Sequence, residues 1–171
     1  MRREPSFRIF IAMKVINLYE SAWGMLQIIS ENDVLTEFRA NTQLPLENLT
    51  NDYPFHLEVH RQMDAYLAGT LQNFDLPIHP AGTPFQQSIW TLLQQIPYGQ
   101  TISYVELARQ AGDEKKIRAA AHANALNPIW IIIPCHRVIA KDGQLTGYAG
   151  GLQMKGDLLR LEGALAKTLW D

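Results

Sequence analysis

The chain of 171 residues has a single cysteine, Cys135, set in Ile131-Ile132-Ile133-Pro134-Cys135-His136-Arg137-Val138-Ile139. A thiol followed at once by an imidazole and a guanidinium has the makings of a nucleophile. Only the thiolate attacks, and neighbouring cations favour that form. The apolar run before it reads as a short buried strand, and Pro134 stops the strand just ahead of the sulfur. Against this stands the commoner fate of a free cysteine, which is to be a buried structural residue. Adjacent residues on a strand point to opposite faces, so direct Cys135–His136 pairing of the hydrolase kind is disfavoured and activation through water stays open. One cysteine excludes an internal disulfide framework and a cysteine zinc cluster, and it suits a reducing, cytoplasmic compartment.

The elements that must position this stretch follow from pattern and punctuation. Residues 14–19, 25–29 and 34–39 are rich in β-branched and aromatic side chains and are separated by turn residues, so they read as three strands. Residues 55–69 read as a helix with Leu57, Met63, Tyr66 and Leu67 on one face and Gly69 closing it. His56, His60 and His79 are expected at the surface, not as ligands, because no cysteine accompanies them. Pro77, Pro80 and Gly82 mark residues 76–82 as a linker. After it a helix opens sharply, with Thr83 as N-cap, Pro84 in the first turn and Gln86 completing a capping box. Phe85, Ile89, Leu92, Leu93 and Ile96 would build a second core. Ser103 and Glu106 form another capping box for a helix that ends at Gly112. Asp113 then caps a helix running to Ala125, so residues 101–125 have helix-turn-helix proportions. Lys141-Asp142-Gly143-Gln144 is a turn, Gly147 to Gly151 a glycine-rich loop, and 153–162 a last helix with Gly163 as C-cap.

Size and composition allow one large domain or two small ones with a real core. No apolar run is long enough for a membrane span, and residues 1–12 are a basic then apolar segment that reads as an extension ahead of Met13. Six basic and ten acidic side chains precede residue 83, while nine basic and seven acidic follow. Contact with nucleic acid therefore belongs to the second half.

Several motifs then fall in one order: Gly82-Thr83-Pro84-Phe85-Gln86, Ile96-Pro97-Tyr98-Gly99-Gln100-Thr101, Ser103-Tyr104, Arg118-Ala119, Asn127-Pro128, Pro134-Cys135-His136-Arg137-Val138, Gly147-Tyr148-Ala149-Gly150-Gly151 and Glu162-Gly163. Together they resemble the O6-alkylguanine-DNA alkyltransferase family, closely across 82–163 and diffusely over 14–75. The resemblance implies an α+β chain: residues 1–75 as a small ribonuclease-H-like α/β domain, and residues 83–171 as a mainly helical, winged helix-turn-helix-like DNA-binding and catalytic domain. It also implies stoichiometric transfer of the alkyl group from O6-alkylguanine, and from O4-alkylthymine, to Cys135, with the base flipped out through the minor groove. No cofactor and no metal are implied. The partner is double-stranded DNA carrying O6-alkylguanine, with no membrane, and the protein acts as a monomer.

Residue by residue, the resemblance makes His136 the acceptor of the Cys135 proton through a water and Glu162 its orienting acid. Tyr104 would donate to guanine N3. The Ala149 amide would meet O6, and the carbonyls of Cys135 and Val138 would take the guanine amine. Asn127 braces the turn before the cysteine; Tyr148, Gly150 and Trp130 complete the substrate pocket. Arg118 fills the gap left in the base stack, and Ala119, Ala120, Ala121, Ala123 and Arg137 join it on the DNA face. Ala121, where a glycine is usual, and His122 depart from the pattern and bear on how the helix seats. Trp130 stands where smaller residues are common, so benzyl groups should be accepted poorly, and Gly156-Asp157 replaces an aromatic of the last helix. A lesion sensor or helix-turn-helix DNA-binding protein without transfer chemistry is the competing reading. Cys135 in its intact context argues against it.

Overall fold

The computed structural model describes residues 13–40, 49 and 52–166. The proposed extension at 1–12 lies outside them. The chain is mixed α and β. Strands β1 (Lys14–Ser21), β2 (Gly24–Glu31) and β3 (Val34–Ala40) form an antiparallel sheet in that order. Each runs slightly beyond its expected bounds. Asn32 and Asp33 take positive φ in the β2–β3 turn, the conformation that a two-residue hairpin of the right twist needs. The register shifts between Ile29 and Ser30, so Leu35 and Phe38, three apart, both reach the core.

Helix α1 (Pro54–Leu67) lies on this sheet. Its buried face is His56, Val59, Gln62, Met63 and Tyr66, whereas Leu57 is exposed. His56 is therefore not a surface residue: it is fully buried, with Nε2 2.8 Å from Ser30 Oγ on the central strand. The helical register places it there, one turn before Val59 and two before Met63. His60 is partly buried against the Tyr19 ring, while His79 is exposed as expected.

Helix α2 (Pro84–Gln94) carries the full Thr83–Gln86 capping box. Strand β4 (Ile102–Ser103) leads into α3 (Tyr104–Gln110). Ser103 caps α3, but the Glu106 side chain pairs with Arg109 and Gln110 instead of closing a second box. Asp113 caps a single 3₁₀ turn, Glu114–Lys116, that feeds α4 (Ile117–Ala125). Strand β5 (Val138–Ile139) pairs in parallel with β4, and α5 (Leu152–Leu161) closes the described chain.

The two halves share one apolar core, not two. It runs from Tyr19, Leu26 and Phe38 through Ile89, Trp90 and Leu93 to Cys135 and Leu158. The join is made by the outer edge of β3, whose backbone bonds are completed from later in the chain. Leu35 N donates to Pro77 O (2.9 Å) and His79 N to Leu35 O (2.8 Å). Phe38 N donates to Pro128 O (2.9 Å) and Trp130 N to Phe38 O (2.7 Å). An open strand edge is a row of unmet donors and acceptors, and here it fixes both 76–82 and the approach to the cysteine. No helix among the described residues is long and apolar enough to cross a membrane.

Candidate active site

The approach to Cys135 is not a strand. Residues 130–133 form a tight turn in which Ile131 takes φ +70°, and Cys135 opens a 3₁₀ turn, Cys135–Arg137. The apolar run misleads because it is buried on all sides, which a turn packed into a core achieves as well as a strand does. One side chain holds this turn. Asn127 Nδ2 lies 3.3 Å from Ile129 O, 2.8 Å from Ile133 O and 3.1 Å from Cys135 Sγ, while its Oδ1 accepts from Ile129 N at 3.0 Å. The amide thus braces the loop and offers a donor to the sulfur.

Cys135 is only 3% exposed. Burial pushes its thiol up to about 11, against the pull of the Asn127 donor, the Lys155 charge and the local amides. This corrects the expectation that its sequence neighbours hold it as a thiolate. His136 is fully buried, and desolvation lowers its pKa despite Glu162. Arg137 is committed elsewhere. The resting sulfur therefore keeps its proton.

His136 Nε2 lies 2.9 Å from Glu162 Oε1. A carboxylate only accepts, so Nε2 carries the hydrogen and the neutral ring presents a lone pair at Nδ1. That Nδ1 is buried and has no hydrogen-bond partner in the protein. A base oriented by a carboxylate, with its free nitrogen unspent, is the arrangement general base chemistry requires. Glu162, just past the end of α5, is itself saturated. Tyr66 Oη donates to Oε1 at 2.6 Å, and Arg137 Nη2 and Nε donate to the two oxygens at 2.8 Å each. Burial alone would raise this carboxyl, but the donors from His136, Arg137 and Tyr66 hold it at about 2. Arg137 Nη1 donates to Ile96 O at 2.6 Å. Only 7% exposed, Arg137 is turned inward, against the expectation that it contacts DNA. The bidentate pair with Glu162 holds it inside.

Of the expected pocket residues, Tyr104 and Tyr148 lie close enough to Cys135 to act on it. Tyr104 Oη meets Thr146 O (3.1 Å) and Gly147 O (3.2 Å), tying α3 to the glycine-rich loop. Trp130 and Tyr148 pack at 6.0 Å between ring centroids. The Tyr148 hydroxyl is buried without a hydrogen-bond partner, and burial and Cys135 raise its pKa. A Cβ on Gly150 would stand 2.6 Å from Met154 Sδ and 2.8 Å from Tyr148 Cε1, so only glycine lets the loop close over those rings. Ala149, beside it, is exposed, and Val138 is buried with its carbonyl engaged by Lys155.

On α4 the expected DNA residues divide. Arg118 and Ala119 are exposed and Ala121 partly so, with His122 exposed beside them. Ala120 and Ala123 are buried, and the Trp90 indole donates to Ala123 O at 2.9 Å. The helical period turns these two inward against α2, so they build the seat of the helix, not its outer face.

Two residues were missed in the sequence. Lys155 is wholly buried, its Nζ donating to Val138 O (2.6 Å) and Thr146 O (2.8 Å). Burial lowers it to about 8. Tyr66 serves Glu162 from the other half of the chain. The spacing 155, 158, 159, 162 put Lys155 on the apolar face of its helix, and that signal was available. Nothing in the sequence ties Tyr66 to Glu162. Among the described residues no group of three or more His, Cys, Asp or Glu is placed to hold a metal.

Comparison with known proteins identifies the relatives of this chain. The DNA-binding domain of 6-O-methylguanine DNA methyltransferase matches residues 84–164. The chain is similar to the methylated-DNA–protein-cysteine methyltransferase of Methanosarcina acetivorans, at 53% identity over 110 residues, 64% of this chain and 70% of that protein. It is similar to the protein of the same name from Mycobacterium tuberculosis, at 43% over 159 residues, 89% and 96% of the two chains. In three dimensions it resembles Mycobacterium tuberculosis OGT in complex with DNA, with a TM-score of 0.79, 43% identity and coverage of 87% and 92%.

Proposed function

The chain belongs to the methylated-DNA–protein-cysteine methyltransferase family, and on that premise we propose that Cys135 takes the alkyl group from O6-alkylguanine in duplex DNA, once per molecule. The observation that carries this is the buried His136–Glu162 pair, whose unpartnered Nδ1 belongs to the residue next to the only thiol.

In the reaction His136 Nδ1 takes the sulfur's proton through a bridging water, and Asn127 and Lys155 steady the thiolate. The sulfur attacks the alkyl carbon in line. The carbon–oxygen bond breaks, its electron pair stays with the base, and Tyr104 protonates N3 so that neutral guanine leaves. The tyrosine is restored by the proton held on His136. In net terms the alkyl group passes from oxygen to sulfur and a hydrogen from sulfur to guanine. The thioether has no route to hydrolysis, so the protein is a single-use acceptor.

A carbon inside a duplex is out of reach until its base turns out of the stack. Arg118 fills the gap, and the small outer side chains of α4 let the helix lie in the minor groove, where readout is largely blind to sequence. The Ala149 amide N–H donates to O6, and the carbonyls of Cys135 and Val138 accept from the amine. Trp130 narrows the pocket against benzyl groups. O4-alkylthymine is a second substrate, the first half of the chain is a ribonuclease-H-like unit, the second a winged helix-turn-helix one, and the protein works as a cytoplasmic monomer.

Incubation with a radiolabelled O6-methylguanine duplex tests this reading. Wild type should retain one methyl on the Cys135 peptide by mass spectrometry, and Cys135→Ala should bind the duplex without taking label. Label on the variant overturns the assignment.

A further inference from the structure

The inner face of α4 is made of Ala120, Ala123 and Asn124, and only the last is polar. Two methyl groups give a helix a seat but no direction. Asn124 gives one: its Nδ2 reaches the carbonyl oxygen of Cys135 at 3.4 Å. Its Oδ1 is buried and meets no protein partner. A half-satisfied buried amide is a net cost to the fold, where a leucine of similar size would carry no unmet acceptor. Such a residue, sited between a recognition helix and a nucleophile, calls for a reason other than stability.

We propose that Asn124 is a positioning residue that transmits the seating of α4 on DNA to the backbone carbonyl of Cys135. The inference rests on the reading of α4 as the DNA-seated helix and of that carbonyl as an acceptor for the flipped base. The Cys135 oxygen also accepts from Val138 N, which closes the 3₁₀ turn, so the turn's own bond and the Asn124 amide together set how it meets the base's amine. The other carbonyl assigned to the base, that of Val138, is held in the same way by Lys155 Nζ of α5 at 2.6 Å. Each base-facing acceptor is thus steered by a buried donor from a helix behind it. The two donors differ in tightness. The lysine bond is short, whereas the Asn124 contact is longer than the usual range of about 2.7–3.2 Å for such bonds. A small inward movement of α4 as Arg118 engages DNA closes that slack and turns the Cys135 carbonyl toward its partner. Arg118 lies on the outer face of the same short helix, so it and Asn124 move together.

The experiment compares single-turnover methyl transfer from a saturating O6-methylguanine duplex with transfer from free O6-methylguanine base. Wild type, Asn124→Leu and Asn124→Ala are used, the alanine variant standing in if the leucine variant does not fold. A displacement below an ångström at a reacting centre is worth on the order of tenfold to a hundredfold, so the variants should lose roughly tenfold or more on the duplex. Reaction with the free base and affinity for unmodified duplex should stay within about twofold, since neither uses the coupling. A merely structural asparagine would slow both substrates alike, and that result overturns the proposal, as does an unchanged duplex rate. Combining Asn124→Ala with Arg118→Ala adds a second check. The double variant should be no slower on duplex than the slower single variant, and multiplied losses count against coupling. If Arg118→Ala alone slows both substrates equally, it is the DNA-seating reading that fails, which separates the two failures.

Discussion

The sulfur of Cys135 carries its proton at rest because burial outweighs every group that favours the thiolate. The one full cation acting on it comes from Lys155, twenty residues later, not from His136 or Arg137 beside it. Reactivity should therefore depend on Lys155. The ammonium lowers the thiol's pKa, so Lys155→Met raises it, and the pH–rate profile for methyl transfer moves to higher pH. Near neutral pH the rate falls by about tenfold for each unit of that movement. Lys155→Arg, keeping the charge, should recover part of the loss, and a profile unchanged in Lys155→Met would remove the lysine from the account. The chemistry of the pocket was legible where it is written as neighbouring letters: Cys135 with His136, Asn127 with Pro128. It was not legible where the partner comes from a distant element. Lys155 looks like one more surface lysine until its place among Leu158, Leu159 and Glu162 is counted, and Arg137 looks like a DNA contact until its partner is known.

At the scale of elements, strands and helices were readable because each has its own signal: β-branched and aromatic content between turn residues in β1 to β3, the Thr83–Gln86 box of α2, Asp113 before α4. The turn at 130–133 was not, since an unbroken apolar run has no period to read. The side chains of α4 split between seat and outer face, which leads to a measurable difference. Arg118→Ala should slow repair of duplex DNA strongly while leaving reaction with free O6-methylguanine nearly unchanged, and equal slowing would deny the arginine a role in flipping. Helix α1 gives a second test. Burial holds His56 down at about 4, so below pH 6.5 the unfolded chain takes up a proton that the folded chain refuses. Stability must fall as pH drops from about 6.5 to about 4, by on the order of 3 kcal/mol when complete. His60 and Asp33 are the charged or titratable groups that act on it. His56→Gln has no such proton to take up, so its melting temperature should fall less over that window than that of wild type.

For the molecule as a whole, the sheet half and the thiol half are joined by a shared core and by hydrogen bonds between them. Backbone bonds from β3 reach Pro77, His79, Pro128 and Trp130, and Tyr66 of α1 completes the shell around Glu162. Trp23, in the first hairpin turn, donates to Asp157 of α5 at 2.9 Å. Urea unfolding followed by tryptophan fluorescence and by circular dichroism should give coincident curves, and two separated transitions would show that the halves fold independently. Residues 76–82 look like a linker by composition because prolines suit any segment that donates few backbone hydrogens. Their bonds to β3 lie beyond what local letters encode. The masked sulfur has a last consequence, for the working life of each copy. A tool that functions once is wasted if peroxide or a stray electrophile reaches it first. Kept protonated and 3% exposed, it is a poor target for oxidants and waits intact for its intended customer.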